Sequence, residues 1–460
     1  MEAKDKEFLT DYEEAEALLE AHIGDTIEEE LSPADLADHL KALKKHDEEK
    51  YVEFLEKLDP EDLADAALEM PDHMLEDIIE TLPNEKIVEA IEELESDDQA
   101  ELLQSIEEID EDKAKELFYR LDEDDRHDIL TINKYDDDEA GAYMQTEVFS
   151  ARENQTLGEA VDMLRVMRQN GDIENVFQLF VLDDKGHMLS AFSTSDLILY
   201  DFSLTLKEIS QKFNADAKVH FATDTDKIED VIKDFEEFDL NVIPVLDANG
   251  VLIGRITADD VHDLIQERAT EQIYNLVGVN DEAEEEDTAF SAGKARASWL
   301  GVNLCTAIIS SIIIGLFDAT IEQLVALAVL MPIVASMGGN TGTQALTVTV
   351  RRLALGEIEA RDIRSVITRE VTISLVNGSI FAVAMGVVAW VWFGMKLLGV
   401  VIAMSMVINL TLAGFFGAII PIALRRFGID PAVGSSVLLT TVTDIVGFFS
   451  FLGLATWILI

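Results

Sequence analysis

At 460 residues the chain has room for about three domains, and its charge is lopsided: 91 Asp and Glu stand against 34 Lys and Arg, a formal net charge of -57. Residues 291–460 hold ten basic and eight acidic residues, so residues 1–290 carry -59. A soluble portion this acidic repels nucleic acid and anionic lipid and concentrates cations, and either adaptation to high salt or a cation-sensing role accounts for it. The single cysteine, Cys305, lies in an apolar run and excludes an internal disulfide. The opening stretch, MEAKDKEFLTDYEEAEALLE, has neither the basic start nor the apolar core of a signal peptide, so the first 290 residues are expected on the cytoplasmic side.

Residues 25–131 repeat. LSPADLADHL from Leu31, LDPEDLADAAL from Leu58, MPDHMLEDII from Met70, LPNEKIVEAI from Leu82 and LDEDDRHDIL from Leu121 each place a helix-starting Pro, Asp or Asn before an acidic turn and an apolar stripe. The step from Leu58 to Met70 to Leu82 is 12 residues, enough for one short helix and one tight turn. Such units cannot bury their apolar faces alone, so an all-α solenoid is expected over residues 1–135. For any one carboxylate there, a solvated face is the default reading.

A second repeat, of 64 residues, follows. Val181-Leu182-Asp183-Asp184-Lys185-Gly186 and Phe192-Ser193-Thr194-Ser195-Asp196 align with Val245-Leu246-Asp247-Ala248-Asn249-Gly250 and Ile256-Thr257-Ala258-Asp259-Asp260. Each copy reads as a helix (Thr156 to Asn170; Asp226 to Phe238), a hairpin with a polar-Gly turn, then a helix capped by Ser or Thr. The pattern resembles a tandem pair of CBS domains, here 143–205 and 206–268. That resemblance implies an α+β sensor module in which Asp196, Thr257 and Asp260 are candidates for adenine-nucleotide (ATP) binding, with plain helix capping as the alternative.

From Ala258 to about Asn280 a connecting helix carries Asp260, Asp263, Glu267 and Glu271 at spacings of three and four, which puts the carboxylates on one face. A row of acids on one helix favours a screening cation. The run Asp281 to Asp287 reads as an acidic linker, so the connecting helix and linker occupy 258–290.

Residues 291–460 hold five apolar stretches near the ~20 residues that span a bilayer, at about 297–317, 322–350, 368–394, 397–424 and 434–459. With the N-terminus inside, Lys294, Arg296, the five arginines from Arg351 to Arg369, Arg425 and Arg426 all fall on the cytoplasmic side, and only Lys396 falls outside. Five spans with the C-terminus outside satisfy the positive-inside rule.

Two stretches within these spans carry chemistry. Asp444 lies inside an apolar run beside Thr440, Thr441 and Thr443, where a carboxylate costs on the order of 2.5–3.5 kcal/mol unless it faces a cavity, a partner or an ion. It is the candidate ion-handling residue, and an acid that glues helices together is the alternative. The second stretch, Pro332 to Ala345, combines a proline with Gly338, Gly339 and Gly342, which are expected to weaken the helix and free carbonyls. With Asn340, Thr341 and Gln344 these glycines are candidate pore-lining residues; close helix packing of the Gly-xxx-Gly type is the alternative.

The phrase PIVASMGGNTGTQA, the arginine-rich loop after it and DPAVGSSVLLTTVTDIVGF from Asp430 to Phe448 resemble the MgtE family of magnesium channels, as does the order of domains across nearly the whole chain. The resemblance implies a multidomain membrane protein and not an enzyme. It would be a homodimer in the bilayer of the cytoplasmic membrane, taking up Mg2+ through a pore on the two-fold axis with Asp444 at the selectivity site. It further implies regulatory divalent cations at Asp260, Asp263, Glu271 and Asp430 that close the pore, with Glu267 a neighbouring candidate. The chain departs from the common bacterial pattern at Thr343, at Ser436-Val437 and at Arg268. A proton- or sodium-coupled carrier and a membrane-tethered adenylate sensor are the competing readings; five unequal spans show no inverted halves, and a plain anchor needs no polar span.

Overall fold

Prolines and short polar side chains set where the first helices begin, and the 12-residue step follows from that. The computed structural model describes residues 2–24, 31–171, 173, 175–213, 219–278, 289–355, 357–358 and 361–460; the expected acidic linker, Asp281 to Asp287, lies outside them. The chain divides into two units, Met1–Ile265 and Gln266–Ile460.

The first unit opens with α1 (Glu2–Ile23), α2 (Pro33–His46), α3 (Glu48–Lys57), α4 (Pro60–Leu68), α5 (Asp72–Thr81), α6 (Asn84–Glu93), α7 (Ser96–Ile109), α8 (Glu111–Phe118) and α9 (Glu123–Ile132). The starts of α4 to α7 keep the 12-residue step. Ser32 and Asp59 cap α2 and α4 by accepting the amides of Asp35 and Asp62, each with a proline at the first helical position. Apolar positions three and four apart, such as Met74, Leu75, Ile78 and Ile79, are buried in one cluster that runs from Leu19 to Ile132. Stacking buries the stripes that no single short helix could cover.

The two copies of the 64-residue repeat follow, with β1 (Ser150–Arg152), α10 (Leu157–Asn170), β2 (Gln178–Leu182), β3 (Met188–Ser193), α11 (Thr194–Leu197) and α12 (Leu206–Phe213) in the first copy. The second copy has β4 (Ala222–Thr223), α13 (Ile228–Phe238), β5 (Val242–Leu246), β6 (Leu252–Thr257) and α14 (Ala258–Val277). Each copy forms a three-stranded mixed sheet, in the orders β1-β2-β3 and β4-β5-β6, with the first pair parallel and the second antiparallel. The register slips at Val181/Leu182 and again at Val245/Leu246, the same place one repeat later. Hairpin turns from the two copies meet through a bridge between His187 and Val251, which are also equivalent positions. Thr156 caps α10 in a full capping box with Glu159. The expected cap of the first copy differs: the Ser193 hydroxyl pairs with that of Ser195 at 2.7 Å and leaves α11 uncapped by a side chain.

The second unit holds the end of α14 and α15 (Ala289–Gly315), α16 (Asp318–Gln323), α17 (Ala326–Ala354), α18 (Ile363–Phe393), α19 (Lys396–Arg426) and α20 (Ser435–Leu459). Among the described residues four helices are long and apolar enough to cross a membrane: Arg296–Gly315, α18, α19 and α20. At 29 residues α17 has the length for a fifth, but glycines and polar side chains between Ser336 and Gln344 dilute its hydropathy.

One expectation is corrected here. Pro332 and the three glycines do not interrupt α17, which runs unbroken from Ala326 to Ala354. The glycines serve close packing instead: a Cβ on Gly338 would lie 2.3 Å from Nδ2 of Asn409, and one on Gly342 would lie 2.9 Å from Leu439. On α19, a Cβ on Gly417 would come within 2.5 Å of the Gly342 carbonyl. Small residues let α17, α19 and α20 approach where side chains would hold them apart.

Candidate ion-handling sites

Two contacts fix the level of Asp444. Gly342 on α17 faces Leu439 on α20, while Val334 on α17 faces Gly447 on α20, so the two helices run antiparallel and Asp444 falls at the height of residues 337–339. At that height Asn409 of α19, fully buried, donates Nδ2 to the Val334 carbonyl at 2.9 Å and fills the space beside Gly338 and Gly447. The Asp444 side chain is half-buried and has no hydrogen-bond or ion-pair partner among the described residues. Among the described residues no cation or donor holds it, so the helix-glue alternative finds no partner there.

The hydroxyls around it are spent on their own helix. Thr440 donates to the Ser436 carbonyl at 2.8 Å, Thr441 to Val437 at 2.7 Å and Thr443 to Thr440 at 3.1 Å. Thr443 is buried, and on Thr440 and Thr441 only oxygen lone pairs remain outward, acceptors suited to the waters of a hydrated cation. The expected pore-lining residues fall into three groups. Asn340, Gln344 and Thr440 are exposed, Gly339, Thr341 and Thr441 are half-buried, and Gly338 and Gly342 are buried in helix contacts rather than set on an open face.

A second constellation lies within the first unit, and of its members the sequence marks only Asp260 as a candidate. The start of α7 brings Asp97 and Asp98 toward Asp260 at the start of α14, with Glu95 and Glu147 beside them. Burial, then the neighbouring carboxylates, holds Asp97 well above the usual carboxylate range and pushes Asp98 up to about 7. Burial also raises Asp260 and Glu147. Among the described residues Oδ1 of Asp97 and Oε1 of Gln145 are buried acceptors without a donor, an arrangement that a cation or a proton relieves. Among the described residues no three His, Cys, Asp or Glu side chains converge tightly enough to enclose a bare metal. Mg2+ usually keeps several waters and needs only one or two carboxylates, so this looser spread fits it. The frame is anchored by Ser96, whose hydroxyl donates to Glu147 at 2.9 Å and accepts the Thr146 amide at 2.8 Å. Arg255, nearly buried, pairs with Glu95 at 3.0 Å.

In the second unit Asn275, near the end of α14, donates Nδ2 to Glu271 at 3.2 Å and to Asp430 at 3.3 Å. Leu276 packs against Leu346, Val350, Ala432 and Leu439, and the Trp299 ring touches both Gly278 and Gly434. The end of the connecting helix is thereby seated on the segment that leads into α20. Two predicted regulatory carboxylates, Glu271 and Asp430, are brought together by an asparagine that carried no signal in the sequence. Asp263 and Glu267 are exposed along α14.

The nucleotide candidates fare differently in the two copies. The Thr257 hydroxyl, itself buried, donates to Oδ2 of Asp260 at 2.6 Å, and Gln145 reaches the same oxygen at 3.3 Å. Asp260 is committed to the cap and the acidic cluster, whereas Asp196 is exposed.

These features define a multidomain membrane protein in which an acidic soluble portion with a CBS pair precedes a bundle of apolar helices. The profile described as MgtE, divalent cation transporter, matches residues 331–454; that of the MgtE intracellular N domain matches 31–138; and the CBS domain matches 140–203 and 207–267. The chain is 34% identical over 337 residues to the magnesium transporter MgtE of Thermus thermophilus, covering 73% of each protein, and 32% identical to that of Bacillus subtilis, covering 70% of each. The chain belongs to the MgtE family. Among solved structures, the cytosolic domain of the Mg2+ channel MgtE in complex with ATP is 30% identical, with a TM-score of 0.46 over 51% of this chain and 91% of that one.

Proposed function

We propose that the chain takes up Mg2+ across the cytoplasmic membrane as a homodimeric channel in which two Asp444 side chains face each other across the two-fold axis. The observation that carries this reading is a carboxylate without a partner among the described residues, set inside a 25-residue apolar helix close to the level where the neighbouring helix exposes Asn340. A charge at bilayer depth persists where an ion or cavity meets it. Two such carboxylates neutralise one divalent ion and accept hydrogen bonds from its waters, so the ion passes without shedding them. α17 completes a five-span bundle with the N-terminus inside and the C-terminus outside. The domain boundaries are those read from the sequence, with pore residues in 291–460.

Cytosolic Mg2+ closes this channel. Without a cation Asp97, Asp98 and Asp260 repel one another across α7 and α14; a divalent ion offsets that repulsion and holds α14 in place. Further ions near Asp263, Glu267, Glu271 and Asp430 act along the same helix, whose far end bears on the entry to α20. Moving such a gate from mostly shut to mostly open takes about 5.5 kcal/mol of differential binding, within reach of several weak sites together. A nucleotide in the CBS pair would meet Asp196, the carboxylate that the cap does not occupy.

The test is Mg2+ current through the full chain in liposomes. Asp444→Ala is expected to abolish it, and a normal Mg2+ flux in that variant overturns the assignment. A reversal potential that follows the Mg2+ gradient alone supports the channel. One that shifts with a proton or sodium gradient supports the coupled carrier instead.

A further inference from the structure

We infer that the first three turns of α18 form a binding site for the phosphate of an anionic membrane lipid. On one side of that helix a groove of about 740 Å³ opens between the guanidinium groups of Arg361, Arg364 and Arg369. The hydroxyls of Ser365, Thr368 and Thr372 share the groove, and Ile373 closes its far end. Arg364, Thr368 and Thr372 form one row at spacings of four and Ser365, Arg369 and Ile373 the adjacent row, so the two rows share one side of the helix. Arg364 and Arg369 are exposed and make no ion pair among the described residues, while Arg361 lies 4.0 Å from Asp362.

Donors in the groove come from the arginines and Ser365, because Thr368 and Thr372 give their protons to the carbonyls of Arg364 and Thr368 at 2.7 Å each. Guanidinium forks match a phosphate oxygen pair. The same exposed face then turns apolar: Val376, Ile380, Val383, Val387 and Val391 continue it toward the far end of the helix. From Ile373 to Val391 the rise is about 27 Å, close to the ~30 Å of a bilayer's hydrocarbon. The arginines therefore sit at headgroup level and the stripe at acyl-chain level, the two halves of one lipid molecule.

Charge complementarity selects this occupant. A second copy docking on the face by a two-fold contact would set guanidinium against guanidinium, and a free anion would leave the apolar stripe uncovered. Basic clusters at the membrane edge of a span recognise anionic headgroups, each Lys or Arg contributing about 1 kcal/mol.

The experiment is native mass spectrometry of the full chain in detergent with added phosphatidylglycerol or phosphatidylcholine. The wild-type chain is expected to retain phosphatidylglycerol preferentially, and R364Q/R369Q to lose roughly thirtyfold of that preference, with R364K/R369K keeping most of it. Millimolar inorganic phosphate is expected to leave the lipid bound. Equal phosphatidylglycerol retention by R364Q/R369Q overturns the inference. So does displacement by inorganic phosphate, or a change in subunit number with lipid retention unaltered. A reading without variants is the melting temperature of the wild-type chain. Phosphatidylglycerol should raise it more than phosphatidylcholine at low salt and lose that advantage at high salt; equal shifts from the two lipids overturn the site.

Discussion

Asn275 and Asp430, 155 residues apart, are joined by a hydrogen bond of 3.3 Å, and the same amide reaches Glu271 at 3.2 Å. Glu271 sits on the connecting helix and Asp430 on the segment that begins the descent to α20, so one neutral side chain stitches two carboxylates that would otherwise repel. In the proposed channel this joint carries the position of α14 to the helix that bears Asp444.

Removing that joint should loosen the gate without touching the pore. Asn275→Ala is expected to raise the internal Mg2+ needed for half-closure about fivefold, from the loss of roughly 1 kcal/mol of hydrogen bonding, with maximal current unchanged. Patch recordings at stepped internal Mg2+ measure it; an unshifted closure curve removes the joint from the gating account.

The acidic cluster makes a pH prediction whose sign is fixed. Burial raises Asp97, Asp98 and Asp260 above ordinary carboxylates, Asp98 to about 7, so the folded state binds their protons more tightly than the unfolded chain. Their contribution to stability is therefore greatest in acid and falls as pH rises from about 4 toward about 7. Mg2+ replaces the lost protons. Its stabilising effect on the full chain should be larger near pH 8 than near pH 5.5, by a few degrees of melting temperature, and Asp98→Asn should flatten the difference. An identical Mg2+ shift at both pH values would exclude a cation at this cluster.

Arg255 offers a separate test of how the helical array is held to the CBS pair. Its guanidinium is nearly buried and paired with Glu95 at 3.0 Å, so Arg255→Ala breaks a buried ion pair and empties the space that the guanidinium fills. The expected loss is about 3–5 kcal/mol of stability, read by denaturant unfolding of the full chain. A change below 1 kcal/mol would place the pair among surface bridges of little weight.

Gly338 and Asn409 should behave as a coupled pair. A methyl group at Gly338 collides with the Asn409 amide, so Gly338→Ala is expected to destabilise the bundle by about 1–3 kcal/mol. In an Asn409→Ala background the same change should cost much less, because the amide that it strikes is gone. Additive losses in the double variant would mean that the two residues do not share that space.

The sequence by itself determined the domain order, the 12-residue helical step, the 64-residue CBS repeat and the isolated carboxylate at Asp444, because periodicity, turn residues and a charge in an apolar run are local properties of the chain. Tertiary structure alone decided the rest. It kept α17 whole where glycines and a proline predicted a break, since neighbouring helices fill the space that those glycines leave. It gathered Asp97, Asp98 and Asp260 out of 91 acidic residues that composition could not tell apart, and it made Asn275 and Asn409 into junctions. Burial and proximity between distant segments set those outcomes, and neither quantity exists until the chain has folded.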